Sequence, residues 1–263
     1  MYDFEYHKPA SLDDAAKLAA KGDSKLLAGG MSLIPSLKMR LNRYAALVDL
    51  GALQDINGIR RDGNFLVIGA MTPHAVVADS AEVKKIIPAI ASLAEGIGDP
   101  LVRNRGTMGG SMANADPAAD YPAAVVGLGA TVVTNKREIA GDDFFTGVFE
   151  TVLQAGEIIR EVRYPIPDKA AYAKYRQPAS RFAIVGVFVS RSAGGVRVAV
   201  TGAAPSVLRF TQAEAALAKR FDPAALDGLT INADGLNSDI HASAEYRAHC
   251  VVEMTRRAVL AAQ

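Results

Sequence analysis

A turn that occurs twice constrains this chain more than any other feature. The stretch "KLLAGGMSLIPSLKMRL", residues 25–41, sets Gly29-Gly30 between a strand-like apolar run and a helical one. About eighty residues later, "RGTMGGSMANADPAADYPA" sets Gly109-Gly110 in similar company. Glycine reaches positive φ without steric cost and lets other groups approach the backbone closely. In Leu27-Ala28-Gly29-Gly30-Met31-Ser32-Leu33 a strand delivers the chain to the turn, where successive N–H groups can face one concavity. A helix starting near Ser32 adds free donors, and the Ser32 hydroxyl adds another. Thr107-Met108-Gly109-Gly110-Ser111 repeats the recipe, with a hydroxyl on each side. Either pair alone is consistent with simple chain reversal. Two of them, each with a flanking hydroxyl, point to a ligand that carries phosphates. Neither is a Rossmann fingerprint or a Walker A loop, because no G-x-G-x-x-G follows a strand and no Gly-Lys-Ser/Thr occurs.

The net charge of +1 over 263 residues argues against a nucleic-acid partner, which would need a strong basic excess. A single cysteine, Cys250, cannot form an internal disulfide or ligate an iron–sulfur cluster alone. Redox chemistry in this chain would therefore need an organic cofactor. No apolar run reaches the roughly 18–20 residues of a membrane span. "MYDFEYHKPASLDD" is neither a signal nor a transit sequence, so a cytoplasmic location is expected.

The first 57 residues alternate strand, helix and strand. Ser11 and Asp14 have capping-box spacing, "KLLAGG" reads as a buried strand, and "AALVDL" as another; together they suggest a small parallel unit. From "NFLVIGAMT" onward, strands alternate with Ala-rich helices such as "KKIIPAIASLAEGI". "ATVVTNKREI" and "IIREVRYPIP" read as strands, the second closed by prolines. A boundary is expected near Asp168. Beyond it, "RFAIVGVFVSRSAGGVRVAVTGAAPSVLRF" has a hairpin signature, and the tail is helical, with Tyr246, Cys250, Met254 and Ala258 on one face.

Taken in order, "LLAGGMSLIPSLKMRL…LVDL", "GAMTPHA", "RNRGTMGGSMANADPAADYPAA" and "IHASAEYRAH…RRA" resemble the FAD-binding medium subunit of the molybdenum hydroxylases, the xanthine dehydrogenase and aerobic carbon monoxide dehydrogenase relatives. The likeness runs from about residue 3 to the C-terminus. It implies an α+β fold, with a two-lobed FAD-binding domain of the PCMH/VAO type over 1–168 (lobes about 1–57 and 58–168) and a small sheet-plus-helices domain over 169–263. It implies that both glycine turns hold the FAD diphosphate. Asp120 matches an aspartate that contacts FAD, with a helix cap as its plainer role, and Asn114 would brace the turn or touch the cofactor. Ile97, Ile158 and Ile159 occupy positions where the family brings apolar side chains or backbone near the isoalloxazine, although isoleucine is most often core filler. Arg176, with Lys174 as rival, would be a cation at the N1 edge of the ring, and Tyr175 would cover the ring or simply pack.

The resemblance further implies partners. These are a small subunit with two [2Fe–2S] clusters and a large subunit with molybdenum–pterin, which would assemble as a dimer of heterotrimers. FAD would pass electrons to an external acceptor. The chain lacks the cysteine-bearing insertion of the benzoyl-CoA reductase branch. The alternatives are a stand-alone FAD-dependent oxidase of the VAO-type fold and a scaffold that has lost FAD. His241, Glu245 and His249 could share one helical face, but no fourth metal ligand stands nearby. No catalytic nucleophile is expected at Ser32 or Cys250. His74, in "GAMTPHA", is assigned a structural role.

Overall fold

The computed structural model describes residues 1–262. The first lobe comprises β1 (Glu5–His7), α1 (Leu12–Ala19), β2 (Ser24–Leu27), α2 (Leu33–Lys38) and β3 (Ala46–Asp49). Its three strands are parallel in the order β1-β3-β2. A three-stranded sheet has one interior strand. That strand is β3, which is buried, whereas β2 lies at the edge and is only half-buried, against the sequence expectation. Ser11 caps α1 by accepting from the Asp14 N–H at 3.1 Å. The reciprocal arm of a capping box is replaced by the Ser11 hydroxyl donating to the Asp14 carboxylate at 2.7 Å, because Asp is shorter than Glu.

The second lobe opens with β4 (Ile59–Asp62) and β5 (Phe65–Gly69). Six helices follow: α3 (His74–Asp79), α4 (Ala81–Ile86), α5 (Pro88–Glu95), α6 (Pro100–Arg105), α7 (Met108–Asn114) and α8 (Tyr121–Leu128). It closes with β6 (Thr131–Thr134), β7 (Glu138–Ala140), β8 (Phe145–Gly147), β9 (Glu150–Thr151) and β10 (Ile159–Pro165). The main sheet is antiparallel, in the order β4-β5-β10-β6-β7. "KKIIPAIASLAEGI" is two helices rather than one. Pro88 has no N–H to continue α4 and starts α5 from its first turn. Every residue of α8 is buried, as its apolar circumference requires.

The remainder carries β11 (Lys169–Arg176), β12 (Ala183–Ser192), β13 (Gly195–Thr201), β14 (Leu208–Arg209), α9 (Thr211–Lys219) and α10 (Ala244–Ala261). Its antiparallel sheet runs β11-β12-β13-β14. The β12–β13 hairpin closes at Ser192↔Gly195, as the Gly-Gly signature suggested. Strand period two gives β12 two jobs. Val185, Val187 and Val189 join the core with Cys250, Met254 and Ala258 of α10. On the other face Phe188 packs into the core of the second lobe, where Gly127 has no Cβ to obstruct it. Tyr246, expected on the apolar face of α10, is exposed, with its ring 6.2 Å from that of Tyr175. Among the described residues no helix is long and apolar enough to cross a membrane.

Candidate functional site

The two glycine turns are in contact. A Cβ built on Gly29 would lie 1.9 Å from the Arg105 carbonyl oxygen and 2.8 Å from the Gly106 Cα. One built on Gly110 would lie 3.2 Å from the Ala28 Cβ. Turns eighty residues apart in sequence therefore form a single backbone surface between the first two lobes.

Their donors are disposed differently. Gly30 has φ +75°, which folds the chain back after β2. Among the described residues, none of the N–H groups of Gly29, Gly30, Met31, Ser32 and Leu33 donates to a protein acceptor. Ser32 precedes α2 without capping it, and its side chain is exposed. Five consecutive free donors form a backbone cradle suited to an anion.

The second turn has spent its donors. Met108 N–H goes to the Thr72 carbonyl at 3.0 Å and Gly109 N–H to that of Ala70 at 2.8 Å. Gly110 N–H goes to Thr107 Oγ1 at 3.1 Å and Ser111 N–H to the Thr107 carbonyl at 3.0 Å. Gly109 is a packing glycine, since its Cβ would fall 2.5 Å from the Ala70 Cβ. Against the sequence expectation, the second turn does not repeat the first as a set of free donors: the N–H groups of Met108 and Gly109 tie it to the segment that follows β5, and those of Gly110 and Ser111 close on Thr107. Behind it, His74 N–H donates to the Gly106 carbonyl at 2.9 Å, and the imidazole packs on Gly106. Burial, with the Arg103 charge adding to it, pushes the His74 pKa down to about 4, so the ring is neutral near pH 7.

A cavity of about 330 Å³ opens beside these turns, lined by Ala28, Gly29, Thr107 and Arg105 together with Lys8, Asp49 and Asn57. Lys8 and Arg105 make no ion pair among the described residues. Sequence reasoning did not single out Asp49, Asn57 or Arg105. A charged residue closing the buried strand "ALVD" was the available signal for Asp49.

A second cluster lies where the third sheet meets the second lobe. Asp120 precedes α8 but does not cap it. It is buried, accepts from Lys174 Nζ at 2.9 Å and takes the Tyr172 hydroxyl. Burial pushes its carboxyl up from the ordinary range, while Lys174 and Tyr172 oppose that rise. Lys174 also donates to the Gly96 carbonyl at 3.0 Å, Arg103 to that of Ile97 at 3.0 Å, and Arg181 to that of Gly98 at 3.1 Å. Three cations thus converge on the loop that carries half-buried Ile97. Arg176 is exposed at a register shift of β11. Ile158 and Ile159 are 2 % and 5 % exposed and fill the cores of the first and second lobes. Asn114 is half-buried at the end of α7, before Ala115 at φ +46°. His241 precedes α10, so it shares no helical face with Glu245 and His249.

Residues 2–167 match the family described as "FAD binding domain in molybdopterin dehydrogenase", and residues 170–262 match "CO dehydrogenase flavoprotein C-terminal domain". The chain is 35 % identical to the nicotine 6-hydroxylase medium subunit of Paenarthrobacter nicotinovorans, over 98 % of this chain and 96 % of that one. It is 34 % identical to the carbon monoxide dehydrogenase medium chain of Hydrogenophaga pseudoflava, with the same coverage. Among solved structures, a carbon monoxide dehydrogenase from Hydrogenophaga pseudoflava that lacks the Mo-pyranopterin moiety of the molybdenum cofactor superposes with a TM-score of 0.90. It is 35 % identical and covers 99 % of this chain and 97 % of that one.

Proposed function

Because this chain belongs to the FAD-binding medium subunits of the molybdenum hydroxylases, we propose that it holds one FAD across the cleft between its first two lobes. FAD, when bound, supplies a store that takes electrons singly and returns them in pairs. The observation that carries this reading is the run of free N–H groups from Gly29 to Leu33 beside the cavity. A diphosphate is the part of FAD that needs such donors. In this reading the first turn binds the diphosphate directly, and the Ser32 and Ser111 hydroxyls add contacts from either side. Thr107, Gly109 and Gly110 hold the second turn close enough to wall the site.

The ring end is assigned to the Ile97 loop. Lys174 suits the cation beside it better than Arg176, because Lys174 is buried and fixed by Asp120 while Arg176 faces solvent. The side chains of Ile158 and Ile159 serve the cores, so any part they play at the ring is through the backbone they position. The division into residues 1–168 and 169–263 is kept as part of this proposal.

The nearest role for such a chain is electron transfer inside a larger oxidoreductase. A small subunit with [2Fe–2S] clusters would deliver electrons, a large molybdenum–pterin subunit would oxidise the organic substrate, and an external acceptor would remove them. The relatives' names span nicotine and carbon monoxide, and a substrate bound in another subunit leaves no imprint on this one. The purified chain is expected to carry about one FAD, released on denaturation, and no iron or molybdenum. A colourless chain that cannot be reconstituted with FAD would defeat the proposal.

A further inference from the structure

Resting on the reading above, we infer that the cavity over the carboxyl ends of β1, β2 and β3 takes the adenosine end of the dinucleotide, and that the Asp49 carboxylate reads its ribose hydroxyls and so selects FAD over FMN. In parallel sheets, ligands sit outside the carboxyl ends of the strands. Here all three ends contribute to one cavity: Lys8 follows β1, Ala28 and Gly29 follow β2, and Asp49 closes β3. Asp49 is in register with Leu27, so its carboxylate stands one strand away from the first free donors of the glycine turn.

The carboxylate is held in place. One oxygen accepts the Gly51 N–H at 2.8 Å and the other takes the Tyr6 hydroxyl. A carboxylate has about four lone-pair positions, so acceptor capacity is left over. No cation pairs with it among the described residues. An acceptor-only group of this kind suits a vicinal diol, which offers two donors, and repels a phosphate. The cradle of N–H groups next to it has the opposite preference. Together they orient a nucleotide, with diphosphate on the turn and sugar on Asp49. The volume of about 330 Å³ lies at the lower end of the range for small-molecule sites, roughly 300–1,000 Å³, and suits a nucleoside rather than a whole dinucleotide. Leu53, Met71 and Pro73 give a base an apolar wall, and the Asn57 amide can both donate to and accept from its edge. Ile97 and Arg176, expected near the flavin ring, are not on this wall.

The test is a titration of the full chain, stripped of flavin, with FAD, FMN, ADP, 2′-deoxy-ADP and 3′-deoxy-ADP, comparing the native protein with Asp49→Ala and Asp49→Asn. Hydrogen bonds to a charged group contribute about 1.5–3 kcal/mol, so Asp49→Ala should weaken FAD and ADP roughly ten- to hundredfold and leave FMN unchanged. At least one deoxy-ADP should bind the native chain about tenfold more weakly than ADP, and lose little more in the variant. Equal FAD affinity in native and Asp49→Ala protein would overturn the inference, as would an equal loss for FMN. If Asp49→Ala does not fold, Asp49→Asn keeps the shape and removes the charge, and native protein indifferent to both deoxy changes would overturn it. A native chain that takes up no FAD at all would instead defeat the proposed function.

Discussion

The two Gly-Gly turns share a sequence pattern and a location but not a physical role. The first turns at positive φ and leaves five N–H groups without partners among the described residues. The second spends the N–H groups of residues 108–111 on Ala70, Thr72 and Thr107, and uses Gly109 to bring α7 against β5. An unsatisfied donor is tolerable at the surface because water or a ligand serves it. Beneath the surface it must be served by the protein. A glycine pair therefore marks close backbone approach, and the fate of the neighbouring N–H groups decides whether what approaches is a ligand or the rest of the chain.

This contrast can be broken by substitution. Gly109→Val should be the most damaging change. Its Cβ alone would lie 2.8–2.9 Å from the Ala70 backbone, before either branch is added, costing about 3 kcal/mol or more of stability. The fraction that folds should still bind FAD with near-native affinity, as thermal melts and flavin titration would show. His74, which backs only the second turn, gives a comparable effect through pH. Its folded pKa of about 4 lies below the ordinary value of 6.5, so the unfolded chain takes up the proton first. Stability should be complete above pH 6.5 and fall as the pH drops from 6.5 to 4. At about 1.4 kcal/mol per pH unit the loss is about 3 kcal/mol at most. His74→Gln should flatten that part of the melting-temperature profile, and an unchanged profile would show the ring to be ordinarily solvated.

Gly30→Val should behave the other way round. Forcing a side chain to φ +75° costs about 1–2 kcal/mol, yet FAD affinity should fall by a larger factor than for Gly109→Val. The smallest effects separate the flanking hydroxyls. Thr107→Val removes the acceptor for the Gly110 N–H and should cost about 1 kcal/mol, recovered by Thr107→Ser. Ser32→Ala touches no cap and should stay within about 0.5 kcal/mol, with any loss confined to FAD binding.

Much of the fold was legible because the local signals agreed with one another. The parallel unit, the β12–β13 hairpin and α10 all follow from hydrophobic period and turn residues. The burial of β2 was not legible, because edge and interior strands of a short sheet look alike until strand order is known. Pro88 dividing α4 from α5 was written in the sequence and needed only the missing N–H to be counted. At the site, sequence brought the two turns to notice but could not distinguish them, since the partners of the second turn, Ala70 and Thr72, lie some 35–40 residues earlier. The Asp120–Lys174 pair spans 54 residues and two sheets, which no local pattern encodes.

Amide hydrogen exchange of the full chain, with and without FAD, separates the free donors of the first turn from the paired ones of the second. The amides of residues 29–33 should exchange freely in the absence of FAD and become protected when it binds. Those of residues 108–111 should be protected in both states. Residues 108–111 gaining protection only with FAD, while 29–33 stay unchanged, would contradict this division of roles.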